Sequence, residues 1–138
     1  MPDTYWNEEI ETMSDEGVER LESERLQSQM LYLNEASPYF RLRFEQTGIS
    51  PQSIRNRDDL AQLPFMEKSE LANAQLGGNL LGINQCAPMD KIVRIQATGG
   101  TTGRPIRIGW THQDISDYCE VGARALWANG CRPSDLVF

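Results

Sequence analysis

The chain has 138 residues, 39% of them hydrophobic, and a formal net charge of −7, which suffices for one ordinary domain with a modest core. No apolar run approaches membrane-spanning length, and the start Met1-Pro2-Asp3-Thr4-Tyr5-Trp6 lacks the basic, hydrophobic leader of a secreted protein, so the expectation is a cytoplasmic protein with no membrane partner. Residues 1–24 hold nine acids against the single Arg20, while residues 25–138 hold eleven acids and twelve bases, a balance of +1; an acidic leader on a balanced body argues against nucleic acid as a partner.

Ser14 is a helix cap with Asp15 and Glu16 at the positive end of the helix dipole, and good helix formers continue towards Glu35. Leu26, Met30 and Leu33 fall at i, i+4 and i+7, with Val18 and Leu21 extending an imperfect apolar stripe, which predicts a packing seam. Ser37-Pro38 starts a second helix through Tyr39, Phe40, Leu42 and Phe44, closed by Gly48. Ser50-Pro51 repeats that device, a helical turn from Asn56 or Arg57 to Leu63 stops at Pro64, and Glu67 to Gln75 adds another ended by Gly77-Gly78. None of these residues forms a recognisable catalytic constellation.

The character changes near Asp90. Lys91 to Ala97 is rich in β-branched residues and reads as a strand, and Ile106 to Trp110 alternates again. Between them lies Thr98-Gly99-Gly100-Thr101-Thr102-Gly103-Arg104-Pro105. Glycine lets a ligand approach the main chain closely, and successive N–H groups with threonine hydroxyls make an anion-binding nest. A Walker A loop needs Gly-Lys-Ser/Thr opening into a helix, and the dinucleotide fingerprint also needs a helix after its glycines. Here a strand follows, so phosphate binding falls to the loop's amides, hydroxyls and Arg104.

Thr111 and Asp114 make a capping box for a helix whose Ile115, Cys119, Gly122 and Leu126 form a narrow stripe suited to packing on a sheet, and Gly130 ends it. Leu136-Val137-Phe138 then reads as the opening of another strand with nothing left to cover it, which suggests the front of a longer protein rather than a short natural edge. Cys86, Cys119 and Cys131 fit neither a disulfide framework nor, with one histidine, a zinc site; they read as reduced structural thiols. His112, in a helix's first turn, reads as a surface residue, and Tyr5 and Trp6 as anchors of the N-terminus.

With the loop placed between strands, the chain resembles the adenylate-forming acyl-CoA ligases, whose phosphate loop reads Ser/Thr-Gly-Thr-Thr-Gly-x-Pro. More narrowly it resembles the N-terminal part of the phenylacetate-CoA ligase family, in the aryl-CoA ligase branch. The likeness runs through Tyr5-Trp6-Asn7, Glu9-Ile10-Glu11, Asn34 to Tyr39, Leu60 to Phe65, Val93-Arg94-Ile95, Thr98 to Pro105, Gly109-Trp110-Thr111 and Arg132 to Asp135. Two departures stand out. The branch's Ser-Ser-Gly becomes Thr98-Gly99-Gly100, which removes one hydroxyl at Gly99, and the lysine that many superfamily relatives carry after the proline is Ile106, the cation lying before the proline as Arg104.

The resemblance implies an α/β fold: a helical region over 1–89, then from 90 to 138 the start of an ATP-binding subdomain, in the order strand, phosphate loop, strand, helix, strand. It implies an ATP-dependent ligase that adenylates an aryl, phenylacetate-like carboxylate and transfers the acyl group to coenzyme A. Thr98, Thr101 and Thr102 would supply hydroxyl contacts, Gly99, Gly100 and Gly103 would let the loop fold over the phosphates, and Arg104 would add positive charge. No general base is among them. The ligands of the accompanying Mg2+, the acyl pocket and the catalytic residues would lie beyond Phe138. Partners would be a small carboxylic acid, the remainder of the chain and a second copy in a homodimer. Two other functions compete: a relative acting on a fatty acid or a protein acceptor, and a short non-catalytic phosphate-binding or oligomerisation module.

Overall fold

A computed structural model describes residues 4–99 and 104–136. The helices are α1 (Glu8–Glu11), α2 (Asp15–Ala36), α3 (Pro38–Thr47), α4 (Lys68–Ala74) and α5 (His112–Ala128), with 3₁₀ turns at Pro51–Ser53, Arg57–Gln62 and Met89–Lys91. Two strands, β1 (Arg94–Ala97) and β2 (Arg107–Trp110), pair antiparallel with Arg94 opposite Trp110 and Ala97 opposite Arg107. This is the mixed helical piece, with the start of a sheet, that the sequence predicts.

The local signals act where they stand. The Ser14 hydroxyl accepts the Gly17 N–H at 3.2 Å to cap α2, Pro38 occupies the first turn of α3, and Gly48 ends that helix at φ 68°. Thr111 and Asp114 close the capping box of α5 in both directions. Ser37 differs from its expected role. It stands at the cap position of α3, yet its buried hydroxyl makes no cap hydrogen bond and instead donates to the Ile83 carbonyl at 3.3 Å. β1 begins three residues later than expected, because Met89–Lys91 coils into a 3₁₀ turn first.

The seam of α2 forms as its periodicity dictates. Met30, Phe44 and Ile54 are buried together, with Leu26, Leu33, Phe40, Ile49 and Leu63 packed around them. Arg43 of α3 reaches across to Glu70 of α4 at 3.0 Å and donates to the Phe65 carbonyl, fastening the two helices.

The N-terminus docks on α5. The Trp6 indole donates to Glu120 at 2.9 Å, the Asn7 amide donates to the same carboxylate at 3.2 Å, and the Trp6 and Trp127 rings lie 5.7 Å apart. Arg132 in turn stacks over Trp127 at 4.0 Å. The face of α5 that packs here carries Glu120, Arg124 and Trp127, whereas Cys119 and Leu126 of the predicted small-residue stripe stay exposed. Leu136 is 84% exposed and outside any strand, and the remainder of the strand expected at 136–138 lies outside the described residues.

The accessible surface is 10421 Å². A folded monomer of 15.6 kDa would expose about 7,300 Å² by the usual scaling with mass. The excess is visible in side chains such as Phe65 (97% exposed), Tyr118, Val121 and Leu126. Expressed alone, the 138-residue chain is therefore expected to bind the dye ANS and to self-associate in light scattering; a dye-silent monomer would contradict this.

Glu120 gives a second prediction. The Trp6 indole, then the Asn7 amide, and last the Arg124 guanidinium hold its carboxyl below the usual carboxylate range. A depressed folded-state value means that the tie is complete above the unfolded value of about 4.3 and is lost as pH falls through the folded one. Acidification should release Trp6 with a red-shifted tryptophan emission that Trp6→Phe abolishes. The same emission change in the Trp6→Phe protein would place its origin elsewhere.

Candidate functional site

The hairpin carries the Gly/Thr loop at its tip. At its base the Thr98 N–H donates to the Ile106 carbonyl at 2.9 Å, and the Ile106 N–H donates to the Thr98 hydroxyl oxygen at 3.0 Å. A regular ladder would send that second N–H to the Thr98 carbonyl. The hydroxyl takes its place, so the two strands part here and the loop begins. A hydroxyl has two acceptor lone pairs and one proton, so Thr98 closes the loop and still has its O–H to donate.

Gly99 is exposed, and a β-carbon there would meet nothing within 4 Å. The space on its β-carbon side is open among the described residues. Arg104 is exposed, and among the described residues no carboxylate pairs with it. Gly100, Thr101, Thr102 and Gly103 lie outside the described residues. The structure thus brings Thr98, Gly99 and Arg104 to one end of the hairpin, with Ile106 buried at 6% exposure as the anchor beneath them.

The anchor continues into α4. Gln75 follows the last residue of that helix, and its side-chain amide donates to the Arg107 carbonyl at 2.7 Å and to the Leu81 carbonyl at 3.2 Å, while its carbonyl oxygen accepts the Arg107 N–H at 3.0 Å. Leu81 packs into the hairpin where β2 has Gly109: a β-carbon on Gly109 would lie 2.6 Å from the Leu81 methyl. Nothing local marks Gln75, which stands two residues before Gly77-Gly78 and reads only as a helix end. Its partner is 32 positions away.

A cleft of about 340 Å³ runs from the hairpin base to α2, walled by Tyr32, Leu81, Cys86, Thr98, Ile106 and Asp114 among others. Burial pushes the Cys86 thiol up, opposed by a hydrogen bond with Ser37. A thiol so shifted is protonated and a poor nucleophile, in keeping with a structural role. Burial foremost, then the nearby Cys86 and Asp114, also raises the Tyr32 phenol. His112 is exposed in the first turn of α5.

No family model matches the chain. A phenylacetate-coenzyme A ligase of Thermus thermophilus is 33% identical over 129 residues, 94% of this chain and 28% of that protein. The phenylacetate-coenzyme A ligase of Escherichia coli is likewise 33% identical, over 128 residues. The chain is thus similar, over nearly its whole length, to one segment of phenylacetate-coenzyme A ligases. It spans 28% of the length of the curated relatives it matches. Among solved structures, 2-hydroxyisobutyryl-CoA ligase in complex with 2-HIB-AMP and CoA, in the thioesterification state, is 30% identical with a TM-score of 0.86 over 96% of this chain and 28% of that one. The same ligase in the postadenylation state with 2-HIB-AMP is 27% identical with a TM-score of 0.87, over 97% of this chain and 28% of that one.

The closure of the loop is testable at one atom. Thr98→Val removes the acceptor of the Ile106 N–H at a part-buried position, which costs up to about 1–3 kcal/mol for an orphaned donor, whereas Thr98→Ser keeps it. The valine variant is expected to melt lower and the serine variant near the parent, by thermal unfolding of the two side by side.

Proposed function

We propose that the protein to which this chain belongs is an AMP-forming acid–thiol ligase. A carboxylate oxygen attacks the α-phosphorus of ATP, the bond to the bridging oxygen breaks, and pyrophosphate leaves. The thiol of coenzyme A then attacks the acyl carbon and AMP leaves. Residues 1–89 would be its helical region and 90–138 the start of its ATP-binding subdomain. The supporting observation is the coincidence of a Gly/Thr loop at the tip of an anchored hairpin with relatives that are named CoA ligases.

Within that reaction, Thr98 to Arg104 bind and position the β and γ phosphates. The described part of the loop fits such a guest: a hydroxyl with its proton to spare at Thr98, open space on the β-carbon side of Gly99, and a cation at Arg104. Threonines 101 and 102 add hydroxyls, and Gly100 and Gly103 leave room for the backbone. Negative charge gathers on the departing phosphates, and donors fixed beforehand stabilise it without reorganisation. The Mg2+ that accompanies ATP would be held by residues outside this chain. The acyl pocket and the residues that receive coenzyme A are also assigned outside it.

Two acids are in view. The identity to phenylacetate-coenzyme A ligases favours an aryl acid. The solved structures with 2-HIB-AMP favour a small branched hydroxy acid. Carboxylate-dependent ATP–pyrophosphate exchange, measured on the protein at its natural length with phenylacetate, 2-hydroxyisobutyrate and fatty acids, separates them. Exchange with phenylacetate is the expected result, and thioester formation on adding coenzyme A rules out a protein acceptor. Absence of exchange with every acid would overturn the ligase reading in favour of a non-catalytic module.

A further inference from the structure

We propose that Gln75 is the positioning residue of the phosphate loop, acting through Arg107; the inference rests on the reading of that loop given above. The Thr98–Ile106 pairing fixes the alternation of the hairpin, so that Ile108 addresses β1 while the Arg107 N–H and carbonyl point away from it. In a larger sheet a third strand would take both groups. Here one side-chain amide does, with its N–H₂ on the carbonyl at 2.7 Å and its oxygen on the N–H at 3.0 Å.

The amide is itself held from behind. Its N–H₂ also donates to the Leu81 carbonyl at 3.2 Å, and the 76–83 loop folds back on α4 through the Ile83 N–H, which donates to the Ala74 carbonyl at 3.1 Å. Gly82 makes this return, at φ 89°, and a β-carbon there would lie 2.9 Å from the Gln75 side chain and 3.1 Å from the Ala74 carbonyl. The backbone of Arg107 is therefore fixed to α4, one residue beyond Ile106 and three beyond Arg104. Only glutamine offers a donor and an acceptor at this reach: glutamate would set a carboxylate against two carbonyl oxygens, and asparagine is one methylene short.

The test compares Gln75→Met and Gln75→Glu in the protein at its natural length. Both are expected to raise the KM for ATP roughly tenfold, the effect of about one net hydrogen bond lost at the loop's support, with the KM values for the carboxylate and coenzyme A unchanged. Amide exchange across residues 104–108 should quicken in both. An unchanged KM for ATP, an equal decline of all three substrates with falling melting temperature, or unaltered exchange at 104–108 would each overturn the role. Thr102→Ala and Arg104→Ala serve as controls in the same assay. If they raise the KM for ATP and Gln75→Met does not, the positioning role falls and the phosphate loop stands; if they leave it unchanged, the loop reading falls and takes the role of Gln75 with it.

Discussion

Two short strands cannot hold a hairpin rigid in water by their own ladder, and the arrangement at the loop depends on how that weakness is met. The hairpin is fastened at three places: across its base by Thr98 and Ile106, along its outer edge by Gln75 on Arg107, and on its face by Leu81 against Gly109. All three converge within a few residues of the Gly/Thr loop. These ties hold the two ends of the segment, at Thr98 and Ile106, in fixed relation to α4.

The helical region supplies the frame. Its packed centre is Met30, Phe44 and Ile54, and rigidity passes outward through polar ties rather than a continuous apolar core. Arg43 to Glu70 links α3 to α4, the buried Ser37 hydroxyl links the α2–α3 junction to the 76–86 segment, and Gln75 links that segment to β2. The Arg43–Glu70 and Ser37–Ile83 ties are partly buried, so loss of either leaves a partner poorly satisfied, whereas the Gln75–Arg107 pair lies at the surface. Much apolar surface remains outside this network, in keeping with a chain that spans just over a quarter of its relatives.

What the sequence made legible was local. Caps, prolines at first helical positions and terminating glycines act within four residues of themselves, so Ser14, Pro38, Gly48 and the Thr111–Asp114 box could be read directly. The loop was legible as a composition between two alternating runs. The ties across the fold were not. Trp6 meets Glu120 at a separation of 114 residues and Gln75 meets Arg107 at 32, and nothing in the neighbourhood of a glutamine or a tryptophan announces a partner so distant. Ser37 shows the converse: its position is that of a cap, but burial redirected its hydroxyl to Ile83. The stripe on α5 is only half covered, with Ile115 and Gly122 partly buried and Cys119 and Leu126 exposed, while the helix receives the N-terminus by its larger Glu120 and Trp127.

The amide of Gln75 also gives the small sheet a direction. With the outward backbone groups of Arg107 already taken, a further strand laid beside β2 would have to displace a side chain held from two sides. The opposite margin, where Ile95 and Ala97 turn their backbone groups outward, carries no such stopper among the described residues. Among the described residues the two edges of the sheet therefore differ: that of β2 is occupied at Arg107 and that of β1 is open.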